Sequence, residues 1–158
     1  MQWVTLASAV VGAVIATASA ALLDRSRWKR DQHDQLVGVR RMLYGDYIKS
    51  LSQARNTFRS LARNVSAEAP DRQRLARDSF APCYDMRYQM SITASKEVFE
   101  ASEVAFRRLR DMRDLAAAGT VPSDDAYAEG RMAYEEALGR LRSAMRQDLG
   151  ADRASLAD

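Results

Sequence analysis

Uncharged residues run unbroken from Trp3 to Leu23, WVTLASAVVGAVIATASAALL, and every ionisable side chain lies at or beyond Asp24. A helix of that length, at ~1.5 Å per residue, matches the roughly 30 Å hydrocarbon core of a bilayer. From Asp24 to Gln35 the chain is polar all round apart from Trp28. Beyond it apolar positions return in steps of three and four: Leu36, Val39, Leu43, Tyr47, Leu51, Ala54, Phe58, Leu61 and Val65. This period predicts one amphipathic helix that continues the membrane helix without a break. Gly38 and Gly45, seven apart on one side of it, predict either a bend or a close helix crossing.

Ser66 to Pro70 reads as a turn, with Pro70-Asp71 opening the next helix. A second periodic stretch follows Leu75, Phe80, Tyr84, Tyr88, Ile92, Ser95, Phe99, Ser102, Phe106 and Leu109. Pro82 is expected to kink it or end a short first piece. Ser95 followed by Lys96-Glu97 offers a new N-cap with an acidic first turn. Ala118-Gly119-Thr120-Val121-Pro122 closes the stretch, and Ser123-Asp124-Asp125 caps a last helix. That helix buries Tyr127, Tyr134, Leu138, Leu141 and Met145 and stops at Gly150.

The expected fold is all-α. An N-terminal transmembrane helix continues into an antiparallel bundle of three long helical segments, the middle one interrupted; if Ser95 begins a true reversal, the result is a four-helix bundle. The corresponding organisation is an anchor over 1–23, a juxtamembrane stalk over 24–35, a bundle over 36–149 and a tail over 150–158.

Charge refines the picture at the membrane. Arg25, Arg27, Lys29 and Arg30 follow the apolar run directly, and Trp3 and Trp28 stand near its ends. The positive-inside rule then places the N-terminus outside and the bundle in the cytoplasm, with the four cations against anionic lipid headgroups. The alternative is a cleaved secretion signal, since Ala18-Ser19-Ala20 has the A-x-A form, and a secreted helical protein would follow. No Lys or Arg precedes the apolar run to orient such a signal, and the basic cluster behind it opposes translocation. Within the anchor, Ser8, Gly12, Ala16 and Ala20 recur every four residues, a row that would let a second copy approach closely. An Ala-rich composition produces such rows as well.

The soluble part has a formal charge of only +3 from 24 basic and 21 acidic side chains, both signs interspersed. That is a solvated helical surface. Arg55, Arg59 and Arg63 form a row on one face, and Arg107, Arg108, Arg110 and Arg113 cluster near the end of the second stretch. Interleaved acids such as Asp111 and Asp114, and the lack of a base-stacking aromatic set, argue against a nucleic-acid partner.

Candidate chemistry is sparse. The one histidine, His33, falls in the polar stalk between Asp31 and Asp34 and reads as a surface residue. Cys83 stands alone, so neither an intramolecular disulfide nor a thiolate cluster is available; it reads as a compact buried residue, or as a thiol at a helix start behind Pro82. Tyr84, Tyr88, Tyr127 and Tyr134 with Met86, Met90, Met112, Met132 and Met145 sit at core spacing, or could line a ligand pocket. No catalytic set, metal motif or cofactor motif emerges.

Four segments carry a resemblance: Tyr44-Gly45-Asp46-Tyr47-Ile48, Ser95-Lys96-Glu97-Val98-Phe99-Glu100-Ala101, Tyr134-Glu135-Glu136-Ala137-Leu138 and Arg146-Gln147-Asp148-Leu149-Gly150. In these the chain resembles uncharacterised bacterial proteins with an N-terminal membrane helix and an Arg-rich helical bundle. The resemblance implies the same fold and no particular activity. The function expected from the residues is a non-enzymatic, membrane-anchored interaction or scaffolding module, with membrane lipid, an unknown protein partner and a possible second copy as its partners. The alternative is a bundle that senses a small molecule or lipid.

Overall fold

The computed structural model describes the backbone of residues 2–64, 66 and 68–150, and the side chains of residues 28, 31–64, 66 and 68–150. It contains four helices, α1 (Gln2–Arg63), α2 (Ala69–Thr93), α3 (Lys96–Ala118) and α4 (Asp125–Asp148), and no strand among the described residues. By its contacts the chain divides into two units, residues 1–39 and 40–158.

In the first unit, α1 runs through the junction expected at residues 23–24 between anchor and stalk. Ser8, Gly12, Ala16, Ala20, Arg25, Arg27, Lys29 and Arg30 lie outside the residues whose side chains are described. Among the described residues, no helix is long and apolar enough to cross a membrane. Trp28 and His33 are exposed. Leu36 and Val39, expected in the core, are instead 44% and 56% exposed.

In the second unit, residues 40–63 of α1 pack with α2, α3 and α4. The Phe58 and Phe80 rings meet across α1 and α2, and Arg40 reaches the carbonyl of Thr93, so these two helices are antiparallel. Arg87 pairs with Glu103 and Phe80 with Phe106, so α3 runs back along α2. Arg40 meets Asp148 and Arg55 meets Glu135, so α4 opposes α1. The connectivity is up-down-up-down, the four-helix alternative, and the middle stretch is two helices joined by a reversal rather than one interrupted path.

The reversal is made locally. α2 ends at Thr93, Ala94 and Ser95 are extended, and the Ser95 hydroxyl accepts from the Val98 N–H to start α3. One of the N-H groups orphaned at the helix start is thereby satisfied. Pro82 lies inside α2, which continues past it to Thr93, so of the kink or helix end expected there the helix end does not occur.

The core-facing stripe of α2 also differs from the expected one. Ala76, Phe80, Cys83 and Met90 are buried, whereas Leu75, Tyr84, Tyr88 and Ile92 are exposed, Ile92 by 86%. Repeated steps of four drift by about 40° each against a period of 3.6, so the series 80, 84, 88, 92 winds out of the core. Alternating steps of four and three hold the face inward. Elsewhere most of the expected residues are buried: Leu43, Tyr47, Leu51, Ala54, Phe58 and Leu61 on α1, Ser102, Phe106 and Leu109 on α3, and the five apolar positions of α4. Phe99 is half-buried against the core, and Val65 lies outside the described residues.

Candidate functional site

Arg55, Arg59 and Arg63 recur every four residues along α1, which aligns their guanidiniums beside the buried stripe of Phe58, Leu61 and Ala62. From α4, Tyr127 and Arg131 face them with the same spacing. Met112 of α3 and Pro122 of the α3–α4 connection complete the lining of a cleft of about 310 Å³.

The connection is held by its own chemistry. Gly119 adopts a left-handed conformation (φ 85°), from which its N–H donates to Ala116 O while Thr120 N–H donates to Leu115 O, each at 3.1 Å. This double closure is a Schellman cap and uses the residue that bears a positive φ without steric cost. Asp124, not Ser123, is the N-cap of α4, and its carboxylate accepts from the Val121 N–H at 3.0 Å rather than from the helix it precedes. Pro122, between these two closures, lines the cleft.

The electrostatics of the cleft are one-sided. Glu135 is the carboxylate that answers the four arginines, at 3.2 Å from Arg55 and 3.8 Å from Arg131. Neither Arg59 nor Arg63 forms an ion pair among the described residues. Tyr127 is buried at the base, and burial holds its hydroxyl above its ordinary pKa while Arg59, Arg55, Arg131 and Arg63 pull it down. Guanidiniums stay protonated at any physiological pH, so this lining presents fixed positive charge and does not shuttle protons.

A second cluster lies within the core. Tyr47 O–H donates across the bundle to the Ser102 carbonyl at 3.3 Å, and Ser50 O–H donates to the Tyr47 carbonyl at 2.8 Å. Cys83 is buried in α2 beside Ser50; burial pushes its thiol up to about 11, with the Ser50 hydrogen bond opposing. The thiol is therefore protonated and enclosed, and it sits mid-helix rather than at a helix start. Burial likewise raises the Tyr134 hydroxyl to about 12, and that hydroxyl has no hydrogen-bond partner among the described residues. Phe58, Phe80, Tyr84 and Phe106 stack alongside, with Arg87 over Phe106 and Arg113 over Phe80, each at 5.1 Å. Arg87, at a core-facing position of α2, is held there by its pairing with Glu103.

The Tyr and Met residues singled out in the sequence do not converge on one pocket. Met90, Met112, Met145, Tyr127 and Tyr134 are core residues, while Tyr84, Tyr88 and Met132 are exposed. Met112 and Tyr127 alone of that set line the arginine cleft. The second arginine cluster does not form a site: Arg108 pairs with Asp111 and Arg113 with Asp114, and Arg107 and Arg110 point to solvent. Arg131 was not apparent as a partner of the α1 row, because nothing in one sequence says which helix faces which.

Among the described residues no group of three His, Cys, Asp or Glu side chains is placed to hold a metal ion. No protein-family model matches the chain, and neither a curated protein nor a solved structure is significantly similar to it. Fold and site together define a four-helix bundle with an arginine-lined cleft.

Proposed function

We propose that this protein is a single-pass membrane protein whose cytoplasmic four-helix bundle is a non-enzymatic interaction module, and that an anionic partner is received in the arginine cleft. The observation that carries the reading is the pair Arg59 and Arg63, which form no ion pair among the described residues and line one cleft with Arg55 and Arg131. Arg74, Arg108 and Arg140 each meet a carboxylate on their own helix, whereas Arg107 and Arg110, like Arg59 and Arg63, form no ion pair among the described residues. What sets Arg59 and Arg63 apart from these is that they line one cleft with Arg55 and Arg131. A cleft that keeps positive charge uncompensated is electrostatically complementary to an acidic ligand.

Support for the tether is the uncharged run 3–23, followed by Arg25, Arg27, Lys29 and Arg30. Retention in the membrane fraction after alkaline extraction, with an N-terminus still carrying Met1 or Gln2, is the expected outcome. Release from membranes, or an N-terminus beginning near Ala21, would support the secreted alternative. For the interaction itself, in-cell crosslinking followed by mass spectrometry is expected to recover a stoichiometric protein partner. Recovery of the protein alone would count against the interaction reading.

A further inference from the structure

We infer that the cleft between α1 and α4 is a binding site for a small phosphate-bearing molecule carrying two or more negative charges; the inference rests on the reading of the cleft as the recognition site. Three observations select this class. The volume, about 310 Å³, lies at the small end of the range of small-molecule sites, roughly 300–1,000 Å³. The charge count is four guanidiniums against the Glu135 carboxylate, which suits a multivalent anion better than a single carboxylate. Spacing adds a geometric reason: Arg59 and Arg63, one helical turn apart, can grip a tetrahedral oxyanion from two sides while Arg55 and Arg131 remain tied to Glu135.

The lining divides the ligand into two parts. Met112 and Pro122 offer an apolar wall to an organic portion, and the buried Tyr127 sets its depth. A nucleic-acid strand fits less well, because single-strand sites follow the backbone over about 4–16 nucleotides along a continuous basic track. The arginine cluster near the end of α3 is broken up by Asp111 and Asp114.

The test is isothermal titration of the full-length protein in neutral detergent with inorganic pyrophosphate, and with a decaglutamate peptide and a single-stranded oligonucleotide as separate probes. Saturable one-to-one binding of pyrophosphate is expected, weakened at least ~10-fold by the double variant Arg59→Ala, Arg63→Ala and changed less than ~2-fold by Arg107→Ala, Arg110→Ala. Glu135→Gln is expected to tighten it by up to ~5-fold. Thermal unfolding of each variant controls for folding. Absence of pyrophosphate binding, or binding unaffected by the double variant, overturns the inference. If decaglutamate then binds with dependence on Arg59 and Arg63, the phosphate assignment alone falls and the recognition reading stands; if neither probe binds, both fall. Oligonucleotide binding that is tighter than pyrophosphate and is lost equally in both double variants overturns the inference in favour of a polyanion track.

Discussion

Tyr134 concentrates the residue-scale physics of this bundle. Its ring is fully buried, yet its hydroxyl has no partner among the described residues. Burying an unpaired hydroxyl opposes folding, by roughly 1–3 kcal/mol on mutational scales. Tyr134→Phe keeps the ring and removes the unpaired group, so a stabilisation of about 1 kcal/mol at neutral pH is expected in denaturant unfolding. The same substitution has a pH signature. Burial raises the folded pKa from 10.0 to about 12, so the neutral phenol favours the folded state. Stability from this group is complete below pH 10 and is lost as pH rises from 10 towards 12. The variant is expected to lose less stability across that window than the wild type. Greater instability of Tyr134→Phe at neutral pH would show that the hydroxyl is bonded in the folded protein.

At the scale of the element, glycines separate two situations that look alike in sequence. Gly45 lies inside α1, and a Cβ built there meets nothing within 4 Å. Of the bend or close crossing expected at Gly38 and Gly45, the close crossing is not made among the described residues, since Gly38 is equally open. It occurs instead at Gly130 of α4, where an added Cβ would lie 3.1 Å from the Leu115 side chain. Gly119 is different again, with φ at 85° and the Arg72 guanidinium 2.9 Å from any Cβ. Gly45→Ala is expected to stabilise by about 0.5–1 kcal/mol through helix propensity, and Gly119→Ala to destabilise by about 1–2 kcal/mol through backbone strain. Thermal unfolding of the two variants side by side checks both signs; a loss of stability in Gly45→Ala would mean that this face of α1 is packed against something.

Over the bundle as a whole, the end opposite the arginine cleft is tied by charge. Arg40 donates to the Thr93 carbonyl at 2.9 Å and to both Asp148 oxygens at 3.0 and 3.2 Å, while Tyr44 O–H donates to Asp148 at 2.7 Å. Three helices are joined by these contacts, and one of the orphaned carbonyls at the end of α2 is satisfied. Asp148 is unfavourably placed at the negative end of α4, so its pairing with Arg40 also offsets the helix dipole. The pair is only partly buried, at 23% and 11% side-chain exposure, which places Asp148→Ala nearer 1–3 kcal/mol than the cost of a fully buried break. A double-mutant cycle with Arg40→Ala is expected to show coupling, measured by denaturant unfolding. Additive losses would mean that the tie contributes nothing as a unit.

The alternation of apolar and polar residues was enough to determine an all-helical protein, because a period near 3.6 with caps at Ser95 and Gly119 admits no other regular structure. The buried faces of α3 and α4 and most of α1 were legible for the same reason. The buried face of α2 was not, since steps of four from Phe80 to Ile92 fit a helical period locally and miss the slow drift that only packing against α1 and α3 reveals. The arginine row of α1 was visible as a row, but its meaning depended on Arg131, Tyr127 and Glu135 arriving from α4. The tie between Arg40 and Asp148, separated by 108 residues, likewise left no trace in the sequence. Periodicity is a property of neighbours along the chain, so the sequence by itself determined the helical character of the elements but left open whether Ser95 begins a reversal. Charge compensation and cleft shape depend on which distant faces meet, so those were decided by the tertiary structure.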